Sequence, residues 1–488
     1  MTALQMSTPL QHTEGAVRPS FSSSYGDMWT NLSTELLELI FAVYAHGEVI
    51  RWPPTSRSYP ILVSQVCSRW RQIAFNTPEL WSSVHYELFS YRRPNAERHA
   101  RQIQEWFTRC RTPIIRFYFS KSMEEIPDLS ANGPSTTPVC IPFNPIKAII
   151  LQAYAPRIQV LHLHLDVDHT REFLFLPPFL LRSLEELHLT TTALNPPDIK
   201  ETPTVWRSLP NLRNIQLTGQ PLFNGNIVQS QLPLSELTYL GISWPVPLPE
   251  FYTILKRSTK LEVLRIKVPL PEQFILAQLH IWKSDSPFLP VLRELEFCGW
   301  GDMFSVLNHV QVPRLHKLNI RGTHWSPAFL DFMKKHPIEV FSAGQIVDAS
   351  PRFSGSLLLC CTQVREMILS DNVPLNRTLL QRIASGDDLP YIEHLSAVEG
   401  CLDRDLLPSI ISDLIRKRFT LDDNSSQRTL RALHLRLSST RVSKQVVDQM
   451  GTDLGPTLRL RTTLFDLYCW DCRYYELVEG NSFRRLRD

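Results

Sequence analysis

The chain has 488 residues, 43% of them apolar and 20% charged, with 51 Lys+Arg against 48 Asp+Glu and a net charge of +3. That composition supplies a sizeable core and excludes a compositionally disordered chain. The balanced charge argues against a strong basic field for nucleic acid or anionic membrane. Only 17 glycines against 37 prolines disfavour a glycine-rich phosphate cradle and ask for many fixed turns. Nine cysteines, an odd number in a long chain, do not make a disulfide framework. The first residues show no basic flank followed by an apolar block, and no run of 18 or more apolar residues occurs, so neither a signal peptide nor a membrane span is expected. A soluble protein of a reducing compartment, cytoplasmic and/or nuclear, is the expectation.

Residues 1–27, rich in Ser, Thr and Gln, read as a disordered tail. A compact helical block is expected over 28–90. Its first helix covers 33–41, with Ser33 placed to cap it and Glu35 in the first turn, where the helix dipole favours a negative charge. Leu36 with Ile40 and Leu37 with Phe41 are i,i+4 pairs. Residues 46–60, with three prolines, read as a loop. A second helix is predicted over 61–75, where Val63, Val66, Cys67, Trp70, Ile73 and Ala74 recur at helical spacing, and Asn76-Thr-Pro78 ends it. Cys67 reads as a small buried residue. Leu80–Tyr86 alternates like a strand. Residues 91–144 are expected to hold a linker helix near 95–110, a strand at 114–119 and a long loop from 121 to 140.

From 145 to 488 the chain repeats a unit, apolar-x-x-apolar-x-apolar. Copies start at Ile158, Leu184, Leu212, Leu237, Leu261, Leu292, Leu315, Ile338, Val364, Ile392 and Leu430. Most spacings are 23 to 31 residues, which is the range of leucine-rich repeats. Pro156, Pro210, Pro290, Pro313 and Pro390 each stand two residues before the first apolar position. A proline there ends the preceding helix and pre-sets an extended entrance without removing a ladder hydrogen bond. The prediction is an α/β solenoid, one strand and one helix per repeat, with a curved parallel sheet and a C-terminal cap. Residues 251–257, 327–333 and 407–415 read as helical halves.

Residues 29–81 resemble an F-box. The family opening Leu-Pro-x-Glu-Leu-Leu-x-x-Ile-Phe is matched by Leu32-Ser33-Thr34-Glu35-Leu36-Leu37-Glu38-Leu39-Ile40-Phe41. Its second segment is matched by Val63-Ser64-Gln65-Val66-Cys67-Ser68-Arg69-Trp70-Arg71-Gln72-Ile73-Ala74. Thr77-Pro78-Glu79-Leu80-Trp81 and the helix and strand that follow are similar to F-box proteins of mushroom-type fungi, in which they lead into irregular leucine-rich-like repeats. Ser33 stands where the family has proline, and the loop at 46–60 is enlarged. The resemblance implies a substrate-recognition subunit of a Skp–cullin–F-box ubiquitin ligase. It would dock a Skp-type adaptor, and through it a cullin, by way of Leu32, Leu36, Leu37, Ile40, Val63, Val66 and Trp70. The alternative is an interaction scaffold outside any ligase, whose F-box-like hairpin only caps the solenoid.

On the repeats, the fifth position of the unit is expected to face a partner. It holds His162, His188, Gln216, Gly241, Arg265, Glu296, Asn319, Ser342, Ile368 and His434, a polar and mixed row that suits a protein surface. The histidines are expected to lie apart, separated by other repeats, and to meet solvent or a partner and not a metal. Trp244, Trp300 and Trp325 are expected on loops leaving the sheet, where an exposed aromatic anchors a partner. His162, His188, Arg265, Glu296, Trp244, Trp300 and Trp325 are thus the candidate target-binding residues. Cys469 and Cys472 have zinc-like spacing, but no second pair lies nearby, so no metal or other cofactor is expected. Asp166, Asp168 and His169 read as a loop. No nucleophile elbow, Walker loop or zinc-protease motif occurs, so the expectation is a non-catalytic protein.

Overall fold

The computed structural model describes residues 32–45, 48–88, 96–110, 115–121, 154–177, 179–191, 203–219, 231–269, 282–324, 326–344, 360–370 and 377–397, with shorter pieces at 413–414, 416–418, 430, 432–437, 464–469, 473–478 and 482–485. Three helices open it: α1 (Thr34–Ala45), α2 (Tyr59–Val66) and α3 (Ser68–Asn76). Ser33 Oγ accepts from the Leu36 amide at 3.2 Å, capping α1 as its sequence requires. The single helix expected over 61–75 is two. The backbone breaks at Cys67 (φ −158°, ψ 173°), and its thiol accepts from the Trp70 amide to cap α3. Cys67 is therefore exposed and not in the core. Beyond the break α3 buries Ile73 and Ala74, whereas Val66, the last residue of α2, is exposed. Thr77 ends α3 as expected.

One sheet runs through the rest, 17-stranded among the described residues. The strands are β1 (Ile50–Trp52), β2 (Ser83–Leu88), β3 (Ile115–Lys121), β4 (Ile158–Leu165), β5 (Glu186–Thr191), β6 (Asn214–Gly219), β7 (Tyr239–Pro245), β8 (Val263–Pro269), β9 (Glu294–Trp300), β10 (Lys317–Arg321), β11 (Val340–Gly344), β12 (Glu366–Leu369), β13 (His394–Ala397), β14 (Ala432–Leu437), β15 (Leu464–Cys469), β16 (Arg473–Val478) and β17 (Ser482–Arg485). Each strand pairs with the next in the chain. Every pair from β1 to β15 is parallel, and β15, β16 and β17 close it antiparallel. The loop expected at 46–60 thus contains a strand. Ile50 and Trp52 are buried, and β1 pairs with β2, so the sheet begins inside the segment read as helical.

Connecting helices fill several crossovers: α4 (Ala96–Thr108) after β2, α5 (Val167–Leu174) after β4, α6 (Leu248–Arg257) after β7, the short α7 (Phe304–Leu307) after β9, α8 (Pro327–Lys335) after β10 and α9 (Arg377–Ser385) after β12. The helical halves expected at 251–257 and 327–333 lie in α6 and α8; most of 407–415, and the loop expected at 121–140, fall outside the described residues. Asp166 is no loop residue: it caps α5, accepting from the His169 amide at 3.0 Å.

All eleven sequence copies land on strands β4 to β14. The first apolar residue of each is buried, from Ile158 through Leu212, Leu261 and Leu315 to Leu430. The polar residue after it carries the repeat into register. Its amide bonds the carbonyl of the same residue one repeat earlier: Glu185 to Gln159 at 2.8 Å, Arg213 to Glu185 at 2.9 Å, Glu262 to Thr238 at 2.8 Å, Arg365 to Glu339 at 2.8 Å and Glu393 to Arg365 at 2.7 Å. Within the strands, burial alternates, as in β5 and β6. One face is packed under the helices and the other is open, unlike doubly covered parallel sheets. Among the described residues no helix is long and apolar enough to cross a membrane.

Two stability predictions follow from this packing. Gly219 ends β6 with φ +92°, and a Cβ there would sit 1.9 Å from the Thr191 carbonyl oxygen on β5. Gly219→Ala is expected to lower stability by at least about 1–3 kcal/mol, the cost of the left-handed backbone alone, read as a lower urea midpoint. His336 follows α8, packs on Phe332 at 4.5 Å and is buried with its Nε2 unpartnered among the described residues. Burial, assisted by Lys335, pushes its pKa down from 6.5 to about 4. The unfolded chain therefore takes this proton from near pH 6.5 downward, while the folded protein resists it until about pH 4. Its contribution is whole above pH 6.5 and is lost as pH falls through that window, by up to ~3 kcal/mol. His336→Leu should lose less stability than the parent between pH 7 and 4.5 in urea titrations.

Candidate functional site

The helical block holds together by aromatic contacts. Phe41 of α1 meets Trp70 edge-on at 5.2 Å and Tyr59 at 6.3 Å, and Tyr44 stacks on Tyr59 at 4.0 Å. Trp81 donates its indole N–H to the Ala74 carbonyl at 2.9 Å and packs on Trp106 of α4 at 4.6 Å. Trp106 in turn meets Trp52 of β1 at 5.6 Å. This tryptophan cluster fastens the helices to the head of the sheet. The Arg71 guanidinium ties α3 back to the Ser64 carbonyl of α2 at 2.9 Å.

With those contacts made, α1 still carries a second apolar stripe. Leu37 and Phe41 are buried, but Leu36, Leu39, Ile40 and Val43, spaced 0, 3, 4 and 7, are 42%, 58%, 39% and 67% exposed. Leu62 and Val66, i and i+4 on α2, are half exposed, as are Tyr44 and Phe75. Of the large hydrophobic residues exposed in the described structure, most belong to this block. A helix apolar nearly all round is ordinarily covered on both sides. At the N-terminus of α1 the Glu35 carboxyl is held below its ordinary range, first by its backbone hydrogen bond and then by Ser33. The helix start therefore stays acidic beside the apolar stripe.

The seven residues assigned to the adaptor divide. Leu36, Ile40 and Val66 are exposed. Leu32 and Trp70 are half-buried against the core. Leu37 and Val63 are buried, at 0% and 3% exposure, so neither can be a contact: they are the inward halves of α1 and α2. Leu39, Val43, Tyr44, Leu62 and Phe75 were not identified from the motif, although the 3,4,7 spacing from Leu36 and the i,i+4 pair Leu62–Val66 signal them.

The fifth-position row is real. In register across the sheet run Arg51, His85, Tyr118, His162, His188, Gln216, Gly241, Arg265, Glu296, Asn319, Ser342, Ile368, Ser396 and His434. Arg51, His85 and Tyr118 extend it upstream of the first recognised copy, because β1 to β3 lack the full apolar signature. His162 and His188 are not separated by other repeats. They occupy adjacent strands, and their rings stack at 3.8 Å and 7°. His162 Nε2 lies 2.8 Å from Glu186 Oε1, and His188 Nε2 lies 3.4 Å from the same oxygen. Hydrogen bonding from His162 holds the Glu186 carboxyl below its usual range, while burial pulls His188 down and Tyr118 up. Farther along, Arg265 Nε pairs with Glu296 Oε2 at 3.3 Å and lies over the Tyr239 ring, whose hydroxyl donates to Gln216. Lys317 pairs with Glu294 at 3.1 Å. Aromatic and imidazole groups thus occupy the β2–β5 end, and ion pairs occupy β8–β10.

The tryptophans fare otherwise. Trp244 lies within β7 and is buried at 2%, so it plugs the core and cannot anchor a partner. The reason is β7's burial pattern, which places Trp244 on the packed face with Leu240 and Ile242. Trp300 ends β9 opposite Pro269; its side chain, Trp325 and Cys472 lie outside the described residues. Against known proteins, no family model matches the chain and no curated protein matches it significantly.

This division of α1 makes a direct prediction. Leu39→Asp and Val43→Asp should leave thermal stability within about 0.5 kcal/mol of the parent, whereas Phe41→Ala should cost about 3–5 kcal/mol, measured by thermal or urea denaturation.

Proposed function

We propose that the chain is the substrate-recognition subunit of a Skp–cullin–F-box ubiquitin ligase, non-catalytic in itself. The observation that carries the reading is the uncovered apolar stripe Leu36, Leu39, Ile40 and Val43 with Leu62 and Val66, on the same segment that resembles an F-box. A stable docking surface buries about 1,200–2,000 Å² in total around a few apolar anchors, and these side chains supply such anchors. The open face of the sheet is the surface proposed for the target. Its polar, aromatic and ion-paired row offers hydrogen bonds and charge complementarity to a protein segment, and the ligase would act by raising the local concentration of target lysines near its partner enzyme. The tryptophan cluster joining α3, α4 and β1 favours a capping role for the helical block, which is the scaffold reading. Capping, however, gives no reason to leave the second stripe of α1 outside.

Co-expression with a Skp-type adaptor tests the reading. The parent chain should co-purify with the adaptor. Leu36→Asp and Val66→Asp should each weaken binding by roughly 30-fold or more, the loss of one hot-spot residue, and Trp70→Ala should weaken it too. Arg265→Ala, on the open face, should leave it unchanged. An adaptor that never binds, or binds regardless of the stripe, overturns it in favour of the scaffold.

A further inference from the structure

Among the described residues, three metal-ligating side chains converge at one place, on β4 and β5, where the ligand atoms of His162, Glu186 and His188 all lie within 4.8 Å of one another. We propose that these three residues bind a borderline-soft divalent cation, zinc foremost, on the open face of the sheet. The inference does not depend on the ligase reading.

The donor set is the first argument. Two neutral imidazoles and one carboxylate suit zinc with a coordination position left to solvent, whereas magnesium and calcium prefer all-oxygen shells. Geometry is the second. Glu186 and His188 are i and i+2 on β5 and so share its open face, and His162 stands beside His188 in register on β4. The Nε2 atoms of the two stacked imidazoles lie 2.8 and 3.4 Å from one carboxylate oxygen, with the hydrogen bond made by His162. Ligands held about 2.0–2.2 Å from a tetrahedral zinc lie roughly 3.4 Å apart, the scale of the spacings to Glu186; for both Nε2 lone pairs to meet one ion, one imidazole rotates out of the parallel stack.

The surroundings are the third argument. Asn214 stands opposite Glu186 in register on β6, where its side chain helps His162 hold the Glu186 carboxyl below its ordinary range, and Asn214 Oδ1 accepts from the Thr238 hydroxyl at 3.0 Å. Tyr118 packs edge-on against His162 at 4.3 Å. Such outer partners fix the orientation of metal ligands. The side chains of His162, Glu186 and His188 are 26%, 30% and 36% exposed, so an ion reaches them from solvent and keeps an open position facing whatever lies on the row.

The test is calorimetric titration of zinc into the untagged, chelator-stripped full chain, repeated with cobalt(II) for its spectrum. About one equivalent should bind with micromolar or better affinity. The cobalt form should show visible d–d absorption without a thiolate charge-transfer band, which separates this site from the cysteines. Glu186→Gln and His188→Ala should each weaken binding at least about 10-fold, and Asn214→Ala by about 10-fold through the outer shell. The exposed His394→Ala should change nothing. Circular dichroism verifies that each variant is folded; should His188→Ala fail, Glu186→Gln, nearly isosteric, carries the test. No binding at roughly 100 μM zinc, a thiolate band, or affinity unmoved by these substitutions overturns the proposal.

Discussion

Everything in this molecule depends on a backbone constraint: the parallel ladder in which each repeat's leading amide bonds the carbonyl of the repeat before it. A single strand of four to eight residues buries too little to stand alone. Once its polar second residue is locked to its neighbour, the first, fourth and sixth positions stack into continuous apolar rows. Leu184, Leu187 and Leu189 of one repeat continue as Leu212, Ile215 and Leu217 of the next, all buried. Stability is then a sum of repeats and their interfaces, and the register fixes which side chains share the open face.

That register explains why so much of the fold could be read from the sequence. The repeat unit places apolar residues at positions on the packed face, so all eleven copies fell on strands and the fifth-position row was assembled correctly. The strands expected at 80–86 and 114–119 are β2 and β3, but they bear aromatic residues where the unit has leucine and so were not joined to the row, while β1 escaped altogether because Ile50–Trp52 is short. The burial of β1 comes from the Trp52–Trp106–Trp81 cluster, a tertiary contact with no local periodicity. The break at Cys67 was equally hidden, since a thiol serving as a helix cap leaves the 3–4 spacing on both sides intact.

The candidate sites were legible unevenly. A motif names residues without saying which way they face, so Leu37 and Val63, inside, stood beside Leu36 and Val66, outside. Helical spacing settles it once one buried residue is known. Trp244 misled because the strand runs on through it, and its alternation, not its distance from the unit's last apolar residue, sets its direction. The His162–Glu186–His188 cluster needed both the i,i+2 relation within β5 and the neighbour on β4, and both are implicit in the repeats, since the copies at Ile158 and Leu184 are consecutive.

The central claim is that the helical block is anchored by one face and bare on the other while the chain is alone. Hydroxyl-radical footprinting with mass spectrometry reads side-chain solvent access directly. In the isolated full chain, Leu36, Leu39, Leu62 and Val66 should label rapidly, and Leu37, Phe41 and Val63 should be protected. Equal protection of both groups in the isolated chain would mean that its own residues cover this face, and the account would be wrong.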